Sequence, residues 1–360
     1  MSLSVDPSRI RAAWIGRISG CLLGKPIEVL SFEEGLAGVR EYLRGADALP
    51  LRDYIPLRKG TLVESRGREC CRGVFDRAEP DDDINYTFLA LLMLERHGVD
   101  LSVADVARTW LNRLPAGATW TAERSAYQVL LNEMDPEFVN GHDAGFNLEH
   151  CSDNEFNEWI GAQIRVDLYG WVCPGQPELA ARLARTDASL SHRGEGLNCA
   201  AFIAALGAAL AVTEDVDDAL DKACEQVPSE SRTLEAVSFG RSVAGRSDAV
   251  RLLHERYGDL SPVHSLNNLA LVVWAIKSAD GDFSRAIGDV VAAGWDTDCN
   301  GATVGGLYGI AGAEIPEHWS APWQGRVAFS MAGASEIPLN ELVERTVAVA
   351  NSLEQEHHVH

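Results

Sequence analysis

Much of what marks the common protein classes is missing from this 360-residue chain. None of its eight cysteines (Cys21, Cys70, Cys71, Cys151, Cys173, Cys199, Cys224 and Cys299) stands in a CxxC spacing, which argues against a zinc knuckle or a thioredoxin-type motif. The opening MSLSVDPSRI has no apolar h-region, so no signal peptide is expected. A reducing cytoplasm with free thiols is the simplest expectation. No apolar run reaches the roughly 18 residues of a membrane span. The most apolar segment, LNCAAFIAALGAALAV (Leu197–Val212), reads as a buried core helix. Basic charge is short: 31 Lys and Arg stand against 53 Asp and Glu, a net charge of −22. Nucleic acid and anionic membrane surfaces both require basic patches, so neither is an expected partner. An anionic small ligand stays compatible, because backbone N–H groups, a few cations or a metal can offset charge locally. Clean two-residue alternation is scarce, and there is no internal repeat or low-complexity linker.

What is present is helical. An apolar content of 46% over this length can bury a sizeable core. SRIRAAWIGRISGCLLG (Ser8–Gly24) spaces apolar and small residues at helical period, with Gly16, Gly20 and Gly24 on one face. Each glycine costs about 1 kcal/mol of helix stability against alanine, so three in line point to a backbone passing very close. DDINYTFLALLMLERHG (Asp82–Gly98) opens with acids and ends on a C′ glycine. Ser102 caps a helix over Leu101–Leu114, and Pro177 and Glu178 open another. Six further segments, from Val216 to Glu356, read as amphipathic or buried helices. Two stretches are irregular. Arg44–Pro80 is expected to form loops with at most short strands, and Asn132–Asn157 is a second long loop. The expectation is one all-α domain over residues 1–352 with a His-rich tail at 353–360, outside any site.

Two acidic clusters stand at helix starts. Asp81, Asp82 and Asp83 follow Pro80, and Asp296 and Asp298 precede the small-residue segment CNGATVGGLYG. Capping and the helix dipole account for one acid, or two, at each start. Further carboxylates repel one another unless a cation or solvent separates them. If the two starts face each other they form an oxygen-rich pocket suited to Mg²⁺ or Mn²⁺. Glu28, after Pro26, is expected just past a helix end, where an exposed loop glutamate is the plain alternative.

Five motifs in order carry a resemblance. GxxxGxxxGxPxE (Gly16–Glu28) is followed by DDD with FLAL (Asp81–Leu91) and GAQIR (Gly161–Arg165). SH (Ser191, His192) comes next, then GWDTDCNGATVGGLYG (Gly294–Gly309). The chain resembles the ADP-ribosylglycohydrolase family, the group of dinitrogenase-reductase-activating glycohydrolase and the ADP-ribosylarginine hydrolases, from about Ile10 to the last helix. The resemblance implies an all-α, orthogonal-bundle fold with two divalent metal ions, Mg or Mn, in a cleft. By matching position it implies Asp82, Asp296 and Asp298 as metal ligands. Asp81 takes the place of a threonine ligand, Asp83 that of a ligand or ligand orienter, and Glu28 that of a glutamate near the metals. Gly161, Ala162 and Gln163 match the loop that contacts ribose and phosphate. His192 matches a histidine lining the cleft, and Arg165 a structural arginine.

The family's Thr-Asp-Asp-Thr reads Asp81, Asp82, Asp83, Ile84 here, and its Asp-Thr-Asp-Thr/Ser ends in Cys299. The added acid and the sulfur shift charge balance and metal preference towards Mn²⁺ or a softer ion. Trp159, Tyr169, Trp171 and Trp295 make the middle of the chain bulkier than the small-residue loop of the characterised hydrolases, and at least two of them are expected in the core. The implied activity is hydrolysis of a glycosidic bond at ribose C1 of an ADP-ribosylated protein or small molecule, with Glu28 or Asp83 orienting or deprotonating the water. Two alternatives stand beside it. One is a metal-dependent hydrolase acting on a phosphoester or another nucleoside-like metabolite. The other is a non-catalytic relative of the crystallin type.

Overall fold

In the computed structural model the described residues are 5–213 and 215–357. Their helices run in chain order α1 (Pro7–Gly45), α2 (Leu62–Arg66), α3 (Asp82–His97), α4 (Val103–Arg113), α5 (Thr121–Glu133), α6 (Asp167–Val172), α7 (Pro177–Ala188) and α8 (Gly194–Leu210). They continue with α9 (Val216–Cys224), α10 (Arg232–Val243), α11 (Ala249–Tyr257), α12 (Ser265–Ser278), α13 (Phe283–Ala292), α14 (Thr297–Ile310) and α15 (Leu339–His357). The ends follow local chemistry. Asp6 caps α1 ahead of Pro7. Ser102 and Asp105 form a reciprocal capping box on α4, and Gly98 stops α3 at a positive φ of 53°. The all-α expectation holds. The His-rich end enters α15 as far as His357, and His358–His360 lie outside the described residues.

Two local expectations need correction. Glu28 is not past a helix end, because α1 continues through Pro26 and is interrupted only at Gly35 (φ 64°). Proline removes one i→i−4 bond, but α1 is clamped along its buried face by α14, and that packing keeps the chain on a helical path. The strands also lie elsewhere. Arg44–Pro80 contributes only the isolated bridge Ala78–Val327, while an antiparallel hairpin forms from β1 (Arg326–Met331) and β2 (Ala334–Pro338). β1 buries Val327, Ala328, Phe329 and Met331, and this packing outweighs its short length.

The core is built around the α1–α14 contact. A Cβ placed on Gly20 would lie 1.9 Å from the carbonyl oxygen of Gly301, and one on Gly16 would lie 2.0 Å from that of Gly305. Only glycine lets two backbones meet this closely. This accounts for both the GxxxGxxxG face of α1 and the lack of bulk in α14. The uniformly apolar α8 is buried from Cys199 to Leu210. Among the described residues no helix is long and apolar enough to cross a membrane.

Candidate metal centre

The helix crossing sets the site. Thr297 at the start of α14 donates its hydroxyl to the carbonyl of Gly24 at 2.8 Å, fixing the first turn of α14 beside Cys21, Lys25 and Glu28 of α1. From the other side the start of α3 arrives, held by buried Arg17. Its guanidinium donates to Asp83 Oδ1 (3.0 Å), Asp167 Oδ2 (2.9 Å) and the Ile164 carbonyl. Two ligand groupings result. Atoms of Cys21, Asp81, Asp83 and Asp298 lie within 4.8 Å of one another, as do atoms of Asp296, Asp298 and Cys299. Asp298 belongs to both.

The hydrogen bonds separate capping from cation binding. Asp81 caps α3, its Oδ1 accepting the Asp83 N–H at 3.1 Å. Asp296 stands at the cap position of α14 but makes no side-chain cap bond; instead Asn268 Oδ1 accepts the Asp296 N–H at 3.3 Å and the Asn300 amide at 2.7 Å. Asp83 Oδ2, Asp296 Oδ1 and Asp298 Oδ1 are buried with no hydrogen-bond partner among the described residues. A buried carboxylate oxygen left unpaired is costly, and with Asp298 shared between the groupings of Asp83 and of Asp296 the cluster could hold a cation.

The charge balance agrees. Lys25 Nζ lies 2.8 Å from Asp81 Oδ2, 2.8 Å from Glu28 Oε2 and 3.1 Å from Asp298 Oδ2. Burial alone would raise Asp81, but this ammonium outweighs it and holds the carboxyl below its usual range. Burial pushes Asp82, Asp83 and Asp296 well up, reinforced by Asp81 at Asp82 and by Asp298 at Asp296 and opposed by Arg17 at Asp83. Burial and Asp298 push Glu28 up to about 8. Burial likewise raises the thiols of Cys21 and Cys299. Arg17 and Lys25 therefore leave the carboxyls short of positive charge.

The remaining expected residues sit beside this centre. Asp82 is half-buried and outside both groupings. Gly161, Ala162 and Gln163 form a 3₁₀ turn, Ile160–Arg165, against Glu123, which lies so close to Gly161 that a Cβ there would meet its carboxylate at 2.2 Å. Gln163 is buried with both amide atoms unpartnered. Arg165 is locked inside by Glu123 (2.9 Å), Asp187 (3.0 Å) and Ser191 (2.9 Å). Ser191 Oγ is also hydrogen-bonded with His192 Nδ1 at 2.8 Å, and His192 is fully buried, its Nε2 unpartnered. Burial and Arg165 hold His192 well below its usual pKa, hence neutral. Tyr169 and Trp171 are core residues.

The ADP-ribosylglycohydrolase family profile matches residues 2–353. The chain belongs to the ADP-ribosylglycohydrolase family. Among solved structures it is similar to an ADP-ribosylglycohydrolase-related protein complex, at 19% identity over 96% of this chain and 99% of that one, with a TM-score of 0.49. No curated protein matches the chain. Family membership supports a glycohydrolase activity in general terms, and the ADP-ribosylglycohydrolase family's use of divalent metals fits the unpartnered oxygens of Asp83, Asp296 and Asp298.

Sequence reasoning missed three residues of this candidate centre: Arg17, Lys25 and Cys21. Cys21, Lys25 and Glu28 recur at four and then three residues, one face of a helix, and this periodicity was the available signal. His254 was also missed. It stacks on Trp295 at 4.1 Å and donates from Nε2 to the Ala293 carbonyl at 2.8 Å. Trp295 holds a positive φ of 58°, a strained conformation for a bulky residue, immediately before Asp296.

Proposed function

We propose that this chain is a divalent-metal-dependent glycohydrolase that cleaves the bond at ribose C1 of an ADP-ribosylated protein or small molecule. The observation that carries the reading is the set of buried, unpartnered carboxylate oxygens at two apposed helix starts. Asp83, Asp296 and Asp298 would hold the metal, with Asp82 on the more exposed side. The bound ion, Mg²⁺ or Mn²⁺, supplies Lewis acidity towards ribose hydroxyls and water. The carboxylate oxygens suit Mg²⁺ and Mn²⁺ alike, whereas thiols such as those of Cys21 and Cys299 suit softer ions.

Glu28 is the base. Its side chain is 20% exposed, whereas that of Asp83 is fully buried and tied to Arg17. Beside the centre and next to Lys25, an ionised Glu28 can accept a proton from the attacking water. Positive charge developing at C1 is stabilised by the surrounding carboxylates. The Gly161–Gln163 turn is assigned to ribose and phosphate by family membership, with Gln163 and His192 both buried. The core positions of Tyr169 and Trp171 remove the bulky tract as an argument for a different flat ligand.

Asp296→Asn and Asp298→Asn should each lower turnover of ADP-ribosyl substrates by more than about 100-fold and abolish Mn²⁺ binding. Retention of full activity in either variant would overturn the reading. A panel including phosphoesters and other glycosides should show activity on the ADP-ribosyl compounds alone.

A further inference from the structure

Lys25 is one of only four lysines in a chain with 27 arginines, and it is placed inside the acidic cluster. An ammonium group has three N–H donors and no acceptor. Here three carboxylate oxygens face it: Asp81 Oδ2 at 2.8 Å, Glu28 Oε2 at 2.8 Å and Asp298 Oδ2 at 3.1 Å. Its charge is therefore faced by acids from three separate parts of the chain, with a hydrogen bond to Asp298. Asp81 and Asp298 are two of the four members of the grouping Cys21, Asp81, Asp83 and Asp298. The other oxygens behave differently. Asp83 Oδ2, Asp296 Oδ1 and Asp298 Oδ1 are left without any partner, although the three residues are 0%, 3% and 1% exposed. Asp298 thus divides its carboxylate, one oxygen to the lysine and one unpartnered.

We infer that Lys25 is a built-in cation that fills one of two cation positions in this cluster, the one formed by Asp81, Asp83 and Asp298, so that the chain binds a single divalent ion, on the Asp296 and Asp298 side. The inference rests on the reading of the cluster as a metal centre. Two divalent ions and an ammonium would compete for the same Asp81 and Asp298 oxygens, and like charges a few ångströms apart in a partly buried site repel strongly. One divalent ion beside the ammonium gives a positive partner to each oxygen of Asp298 and to Asp296 Oδ1. Lysine suits this role as a compact point charge on a flexible stem.

The test is the number of Mn²⁺ ions bound per chain, by calorimetry and by metal analysis of the dialysed protein, with electron paramagnetic resonance of the loaded protein. Wild type should bind one ion and give the six-line spectrum of isolated Mn²⁺. Lys25→Met, which keeps the length of the stem and removes the charge, should bind two ions and give an exchange-coupled spectrum. Lys25→Arg, which keeps the charge, should bind one. Two ions in wild type, or one in Lys25→Met, overturns the inference and leaves the metal centre standing. No ion in either protein overturns the metal reading itself. Should Lys25→Met fail to fold, the stoichiometry and spectrum of wild type still decide between one ion and two.

Discussion

At the scale of single residues, Arg17 organises the floor of the centre. It is fully buried and divides its guanidinium between Asp83 and Asp167. Asp167 keeps Oδ1 unpartnered, and burial pushes its carboxyl up to about 6 against the pull of Arg17. In the unfolded chain the same group loses its proton near pH 3.8. The folded protein therefore holds a proton that the unfolded chain releases. The stabilisation this gives is complete below about pH 4 and is lost as the pH rises through about 6, amounting to about 3 kcal/mol at most. Asp167→Asn removes that titration. The unfolding free energy of wild type minus that of the variant should fall between pH 4.5 and 7.5, as measured by denaturant melts. A difference that stays flat with pH would rule this account out.

At the scale of elements, the α1–α14 crossing positions the chemistry. It sets Cys21, Lys25 and Glu28 against the first turn of α14, and its closeness depends on the paired glycines. Gly20→Ala would place a methyl 1.9 Å from the Gly301 carbonyl oxygen, where no side chain can rotate away. The variant should lose at least about 3 kcal/mol of stability, or fail to fold, since overpacking against backbone relaxes poorly. Gly117→Ala is the matching control, with nothing within 4 Å of the new atom, and its melting curve should stay within about 0.5 kcal/mol of wild type. Equal effects at the two positions would remove the crossing as the reason for the glycine face. The capping residues carry a second lesson. Asp81 and Asp296 hold equivalent cap positions, yet only Asp81 caps, while the Asp296 side chain makes no cap bond and its own N–H is held by Asn268 of α12.

At the scale of the molecule, a net charge of −22 favours the approach of cations, so an anionic ligand depends on positive charge supplied locally. Lys25 and Arg17 are the cations placed among these carboxyls, and a divalent ion bound there would add the local positive charge that an anionic ligand needs. A ligand that binds only the folded protein stabilises it by mass action, by about 2.7 kcal/mol at one hundred times its Kd. The melting temperature should therefore rise with Mn²⁺ and fall on adding a chelator in wild type, and should not respond in Asp298→Asn. A metal-independent melting temperature in wild type would contradict a folded-state site.

The helices were legible in the sequence because their signals are local. Apolar residues at helical period, Ser102 at a cap and Gly98 at an end act over a few residues, and so do the acids gathered at the starts of α3 and α14. Glu28 was recognised as a site residue but misplaced, since Pro26 reads as a stop and only the packing of α14 carries the helix through it. The role of Lys25 was beyond local reading, because its partner Asp298 is 273 residues away. Arg17 was hidden for the same reason, with Asp167 at a separation of 150 residues. The sequence by itself determined an all-helical chain, two acidic helix starts and two complementary glycine faces. Only the tertiary structure decided which oxygens are left without a partner and which cation stands among them, because charge pairing depends on distance in space and the chain brings these groups together only when α1 and α14 close.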